Sequence, residues 1–165
     1  MIRLFDKDMN EVMQDDYDFS LFPLDNFSMY KLTMYDKEFK TGEHAFQYTK
    51  FMGVNNEIAN KILNAKTPEE AREIAIEHKS ERIPNWSEIK YDCMKAIFRL
   101  KAEQNPIVLN ALLSTKDNII IEHCVDEDTD WGVDNNLQGE NNLGRLWMEV
   151  REEYKKTKGL RRWVK

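Results

Sequence analysis

The sequence predicts an α+β fold: a mainly helical single domain packed around a small β-sheet. Three observations lead there. Apolar residues recur at helical spacing in several segments, most clearly after Thr67-Pro68-Glu69-Glu70. Three short runs are instead rich in β-branched and aromatic residues: 2–5 (IRLF), 29–35 (MYKLTMY) and 119–121 (III). Only six Gly and four Pro interrupt 165 residues, with no repeat or low-complexity stretch, so regular structure should dominate one domain.

Each element has its own local reason. Residues 2–5 read as a short strand, and 29–35 as a half-buried strand with partial alternation. Asp36-Lys37 is the expected turn, with the return strand at 38–40. A helix is expected over 43–52, with Gly53 as its C-terminal cap. Thr67 caps the next helix, Pro68 suits its first turn, and Glu70 completes a capping box. Ala71, Ile74, Ala75 and His78 then share a face. Ser87 is the expected cap of a long helix to about Glu103, with Cys93, Met94, Ile97, Phe98 and Leu100 as its buried stripe. Asn105-Pro106 ends it, and 107–113 are helical again. Ile119–Ile121 is a continuous apolar run, read as a buried strand, and a last helix is expected from Asn142 to about Lys156.

Composition narrows the function classes. Hydrophobic residues make up 41% and charged residues 33%, which fits a globular chain and neither a disordered nor a membrane one. The net charge is −6, whereas nucleic-acid binders usually show a basic face. Residues 155–165 (KKTKGLRRWVK) run against that balance, with six Lys and Arg and no acid. They are set apart as a basic C-terminal tail after a domain of residues 1–154. Such a tail either holds a polyanion near the site or is a solvated extension complementing a helix end. Two cysteines, Cys93 and Cys124, with no CxxC pair, imply a reduced, cytoplasmic protein without a zinc site. The first residues, MIRLFDKDMNEV, lack an apolar signal core, and no run reaches the ~18 apolar residues of a membrane span.

Four segments stand apart from ordinary core and surface. One is Pro23–Phe27. A second is Gly42-Glu43-His44 with Gln47 and Lys50, which share a helix face at offsets of four and seven from Glu43. That stripe is either a polar pocket wall or a solvated face. A third is the acidic, polar stretch 126–144. Spaced aspartates suggest calcium, yet the pattern fails: counted from Asp126, the sixth position is Trp131 instead of Gly and the twelfth is Leu137 instead of Glu. The fourth is Asn85-Trp86 after Pro84, where Trp86 is either a stacking surface or a core anchor. His44, His78 and His123 form no recognisable ligand set, and no nucleophile elbow, phosphate loop or dinucleotide fingerprint is present.

Taken in order, LDNF (24–27), GEHAFQYTK (42–50), AKTPEEAREIA (65–75), NW (85–86), KAEQNP (101–106), IIIEH (119–123), DTDWG (128–132) and ENNLGRLWMEVR (140–151) resemble the YbiA-like, or NADAR, family of N-glycosidases. The family pattern reads approximately SNF, EHxxQxxK, SPxEA, DW, KFxQN, an acidic strand end, DxxWG and NxLGxxLMxVR. The match spans about residues 19–154. This chain departs from it at Asp25 (Ser in the family), Asn85 (Asp), Ala102 (Phe) and Val133-Asp134-Asn135. A carboxylate at Asp25 would repel a phosphorylated ligand, so the departures bear on the substrate more than on the reaction.

The resemblance implies the YbiA-like fold and hydrolysis of an N-glycosidic bond between ribose and an amine or nucleobase. Some relatives act on phosphoribosyl-amine intermediates of riboflavin synthesis. Others are linked to ADP-ribose, including its removal from guanine in nucleic acid. No metal or redox cofactor is implied. Breaking a C–N bond builds positive charge on the ribose ring, and a carboxylate near C1 stabilises it and orients or deprotonates water. Glu43 and Asp128 match the family's two carboxylate positions. Glu43 is expected to be the base or water-positioning group and Asp128 the cation stabiliser or sugar-hydroxyl ligand, an order open to reversal. Trp86 and Trp131 are expected to offer flat surfaces to the base. Asn26, Gln47, Lys50 and Asn142 are expected to hold ribose hydroxyls or phosphate. Gly144 is expected to let the last helix approach closely. The rival is a non-catalytic ADP-ribose- or nucleotide-binding module on the same fold. Retention of both carboxylates favours the enzyme, because binding alone does not need two.

Overall fold

In the computed structural model, which describes residues 1–12, 22–124 and 129–162, the single small sheet of the sequence reading is two separate two-stranded antiparallel sheets. Six α-helices accompany them among the described residues. The chain divides into two compact units, one of residues 26–106 and one of residues 1–25 with 107–165.

In the 26–106 unit, β2 (Leu32–Met34) and β3 (Lys37–Phe39) form a hairpin with Leu32 opposite Phe39. Its turn is Tyr35-Asp36, one residue earlier than expected, with φ of 53° and 55°. Two left-handed residues match the strand twist of a tight two-residue hairpin. Helix α1 (Gly42–Thr49) follows, capped by Thr41, whose Oγ1 accepts from the His44 N–H at 3.2 Å. Gly53, at φ 82°, lies in the turn beyond α1. Helix α2 (Asn56–Asn64) has no counterpart in the sequence reading. Asn55 caps it, and Ile58, Ala59 and Ile62 are buried. Helix α3 (Pro68–Glu77) starts where the sequence placed it, with Thr67 Oγ1 accepting from the Glu70 N–H at 3.2 Å. Glu70 reaches back one residue further than a capping box requires, to the Lys66 N–H at 2.5 Å.

Helix α4 (Trp86–Gln104) begins at Trp86 with Asn85 in the cap position, so Ser87 is not its cap. Its inward face is Met94, Ile97, Phe98, Lys101 and Ala102, while Cys93 and Leu100 are only half-buried. The stripe is thus rotated from the expected one, and it ends on a lysine. Helix α1 packs against α2, α3 and α4, which places its whole length inside the unit.

In the other unit, β1 (Ile2–Phe5) pairs with β4 (Ile119–Glu122), Ile2 facing Glu122 and Phe5 facing Ile119. Helix α5 (Pro106–Ser114) buries Val108, Ala111 and Leu112. Helix α6 (Asn142–Arg162) runs past the expected end near Lys156 and packs on β4 through a stripe of Leu143, Leu146, Trp147 and Val150. A Cβ on Gly144 would collide with the Ile120 carbonyl oxygen, so this glycine permits the close approach of helix to strand. Trp147 is fully buried and donates through Nε1 to the Leu24 carbonyl at 2.9 Å. Arg151 donates to Thr115 Oγ1 at 2.7 Å and to the Asn118 carbonyl at 2.8 Å, tying α6 to the α5–β4 connection.

Candidate active site

The EHxxQxxK segment begins with a locked helix turn. His44 is fully buried. Its Nε2 sits 3.2 Å from the Ala65 carbonyl, which only accepts, so Nε2 carries the proton. Its Nδ1 then accepts from the Thr41 hydroxyl at 2.8 Å. Burial holds its pKa below the ordinary imidazole value, consistent with this neutral tautomer. His44 is a brace for the first turn of α1, and it leaves Glu43 aimed the other way.

Glu43 is 6% exposed and Gln47 is 4% exposed, so the stripe is a buried polar wall and not a solvated face. Gln47 Nε2 donates to Glu43 Oε1 at 2.5 Å, one helical turn along. Asn26 Nδ2 donates to Glu43 Oε2 at 2.6 Å, and the Glu43 N–H donates to the Asn26 carbonyl at 3.0 Å. Gly42 is required here, because a Cβ would collide with Asn26 Oδ1. Asn26 Oδ1 and Gln47 Oε1 are buried and have no hydrogen-bond partner among the described residues. The site therefore presents a carboxylate flanked by two unused acceptors, an arrangement suited to hydroxyl or N–H donors of a ligand.

Burial pushes the Glu43 carboxyl above its ordinary pKa. The Gln47 amide, the Lys50 charge, the Asn26 amide and the Arg72 charge oppose that, in that order. Lys50 Nζ lies 5.1 Å from the Phe46 ring centroid and 5.5 Å from that of Trp86. The two rings meet edge to face at 5.0 Å. Trp86 is 3% exposed, which makes it a core anchor and a seat for Lys50 rather than an open stacking surface. Phe46, which lies beside the stripe in sequence, shapes this site as expected, whereas Arg72 was not singled out by sequence.

A base that must be ionised loses activity as pH falls through its pKa. With that pKa raised, the acid limb of the rate profile should lie above the ordinary carboxylate range. Lys50→Met removes an opposing positive charge, so the Glu43 pKa should rise further. The limb should then move up by about one pH unit. Rate profiles of the two proteins check this, and coincident limbs would contradict it.

In the other unit, residues 129–132 are fastened to the start of α6. The Leu143 N–H donates to the Trp131 carbonyl at 3.0 Å, using a helix-terminal donor that has no partner inside the helix. Asn142 donates through Nδ2 to the Asp130 carbonyl at 2.7 Å and accepts from Arg145 through Oδ1 at 3.0 Å. Its amide is engaged at both ends by protein groups. Trp131 is half-buried. Asp128 lies outside the described residues. Asn141 was missed by sequence: it pairs with β4 through the Glu122 N–H (2.9 Å) and the Ile120 carbonyl (2.9 Å). Glu122 itself is a second largely buried carboxyl. Burial pushes its pKa up, against the pull of the Met1 ammonium 2.5 Å away. An acidic residue closing an apolar strand was its only sequence signal.

A family model described as the NADAR domain matches residues 6–155. The chain belongs to the NADAR family. This NADAR chain is 32% identical over 140 residues to the N-glycosidase YbiA of Shigella boydii, covering 84% of this chain and 82% of that one. It is 34% identical over 142 residues to the chloroplastic riboflavin biosynthesis protein PYRR of Zea mays, covering 78% of this chain and 22% of the larger protein. The NMR structure of Escherichia coli YbiA superposes with a TM-score of 0.75 at 29% identity, covering 88% of this chain and 82% of that one. The α+β, YbiA-like architecture expected from sequence is therefore the observed one. The relationship places this NADAR chain among hydrolases acting on N-glycosyl bonds.

Proposed function

We propose that the chain hydrolyses the bond between a ribose and an amine or nucleobase, with Glu43 as the base or water-positioning group. The observation that carries this is the buried Glu43 carboxylate, held by two amides whose own oxygens remain available. In this reading Glu43 takes a proton from water as the water oxygen bonds to ribose C1. The C1–N electron pair leaves with the nitrogen, which takes up a proton. Asn26 and Gln47 accept from sugar hydroxyls, and Lys50 balances anionic charge. Asp128 is the cation stabiliser or sugar-hydroxyl ligand, and Trp131 the surface for the base. Asn142 and Trp86 serve as supports for Asp130 and Lys50. No metal or redox cofactor takes part.

The ribose is that of a phosphoribosyl or an ADP-ribosyl group. The N-glycosidase and riboflavin-biosynthesis names of the relatives support the first, and the family resemblance supports both. The low cysteine count supports a cytoplasmic setting, and no helix among the described residues is long and apolar enough to cross a membrane. The test is incubation with two substrates: the phosphoribosyl-aminopyrimidine intermediate of riboflavin synthesis, and DNA carrying ADP-ribose on guanine. Release of free amine or base with the sugar phosphate supports the enzyme. Tight binding of both without release would favour a nucleotide-binding module. On the substrate that is cleaved, Trp131→Ala should raise KM roughly tenfold through lost stacking. Asp128→Asn should instead lower kcat by about 10²-fold. If neither variant alters the kinetics, the DTDWG segment has no part in the reaction.

A further inference from the structure

The KAEQN stretch, residues 101–105, has no task in the chemistry above, yet three of its side chains turn to a single stretch of backbone. Lys101 is fully buried on α4, and its Nζ donates to Ser28 Oγ at 2.9 Å. The same ammonium lies 5.9 Å from the Tyr30 ring centroid. Asn105 Nδ2 donates to the Lys31 carbonyl at 2.8 Å. Gln104 pairs both ends of its amide with Thr33, accepting from the N–H at 2.6 Å and donating to the carbonyl at 2.9 Å. The end of α4 therefore clamps residues 28, 31 and 33.

That clamped stretch leads back, two residues before Ser28, to Asn26. Asn26 has little freedom on its other contacts. Its carbonyl accepts from the Glu43 N–H, and its Oδ1 lies against Gly42. A small displacement of the loop would therefore appear directly in the 2.6 Å bond from Asn26 Nδ2 to Glu43 Oε2. Desolvating an ammonium costs several kcal/mol, and an apolar side chain of similar volume is often neutral or stabilising in its place.

We infer that Lys101 is a positioning residue for Glu43: through Ser28 it sets the reach of the Asn26 carboxamide onto the Glu43 carboxylate, with Gln104 and Asn105 anchoring the same stretch. The inference rests on the reading of Glu43 as the working carboxylate.

The test is a carbon-13 NMR titration of the Glu43 side-chain carboxyl, assigned by its absence in Glu43→Gln. It compares the unaltered protein with Lys101→Met and Ser28→Ala. Lys50 and Arg72 are the charged groups that act on this carboxyl and stay in place throughout. Weakening the Asn26 bond removes a charge-assisted hydrogen bond, so the Glu43 midpoint should rise by about one pH unit in both variants. On the cleaved substrate kcat/KM should fall about 10- to 10²-fold, the cost of a small misplacement. A merely structural Lys101 would lower the melting temperature and leave the Glu43 titration where it was. Ser28→Ala removes no charge, so a rise there cannot come from loss of the ammonium itself. It also decides the matter if Lys101→Met fails to fold. A folded Ser28→Ala protein with the unaltered Glu43 midpoint would overturn the inference. If the midpoint moves while Glu43→Gln keeps full turnover, the positioning stands and the assignment of Glu43 as the base falls.

Discussion

Glu43→Gln is expected to lose about 10²- to 10⁴-fold in turnover, the usual contribution of a general base, and to remain folded. The substitution keeps the side chain's shape and removes its charge. In most buried pairs such a change adds an unpartnered group, and here one amide can turn so that the number of them does not grow. The Gln47 amide holds an oxygen without a hydrogen-bond partner among the described residues, and a half-turn of that amide offers it to the new N–H group. Removing a buried charge also removes its desolvation cost, so the melting temperature should be equal or higher. Glu43→Asp is the complementary variant. It keeps the charge but withdraws it by one methylene, and a misplacement of that order costs about 10²-fold. Turnover kinetics together with thermal melts of the two proteins check this pair. Near-normal turnover in a folded Glu43→Gln protein would remove Glu43 from the chemistry.

The largest effect on stability is expected at Trp147. Trp147→Ala should cost about 3–5 kcal/mol, the range for emptying an aromatic site in a core. It removes the largest side chain among the fully buried residues and leaves the Leu24 carbonyl without its indole donor. Against a total stability of about 5–15 kcal/mol this is a severe loss. For a chain of this size it corresponds to a fall in melting temperature of roughly 6–20 °C. Trp147→Phe keeps most of the apolar area and loses the N–H, so it should fall between. Urea and thermal unfolding measure both. Equal losses in Ala and Phe would assign the effect to the hydrogen bond instead of to packing.

The sequence disclosed those features whose cause is local. Thr67 caps α3 because its hydroxyl needs only the amide three residues on, and that relation can be read from four letters. The Glu43–Gln47 pair is legible for the same reason, since a spacing of four brings two side chains together on any helix. What lay beyond reach depends on distant chain. One sheet was expected where there are two, because nothing within Ile2–Phe5 names Ile119–Glu122 as its partner. The apolar content of α2 is thin, and its cap is one Asn among several, so it escaped notice. Lys101 occupies a core position that any hydrophobic pattern assigns to an apolar residue, which displaced the expected stripe toward Cys93 and Leu100. The choice at Trp86 between stacking surface and core anchor turned on a lysine four residues after Phe46 and far from Trp86 in sequence. One end of the Asn142 amide is held by Asp130, which lies in the loop before α6, and that contact forms only once the loop has folded back onto the helix start.

The pairing of β1 with β4 also sets an order in time. As a ribosome makes this chain, β1 emerges first and waits while more than a hundred further residues are added. At 5–20 residues per second that is roughly 5–20 s during which its backbone donors and acceptors face water or other chains. Residues 26–106 need no such wait, because the whole unit is contiguous and closes on short loops. The Glu43 carboxylate and the clamp that positions it can therefore be assembled while residues 107–165, the larger part of the other unit, have yet to be synthesised. Arg3, sitting within β1 and paired with Glu11 by two hydrogen bonds in the finished protein, places a charge on the waiting strand. Charge of that kind discourages edge-to-edge association of nascent chains.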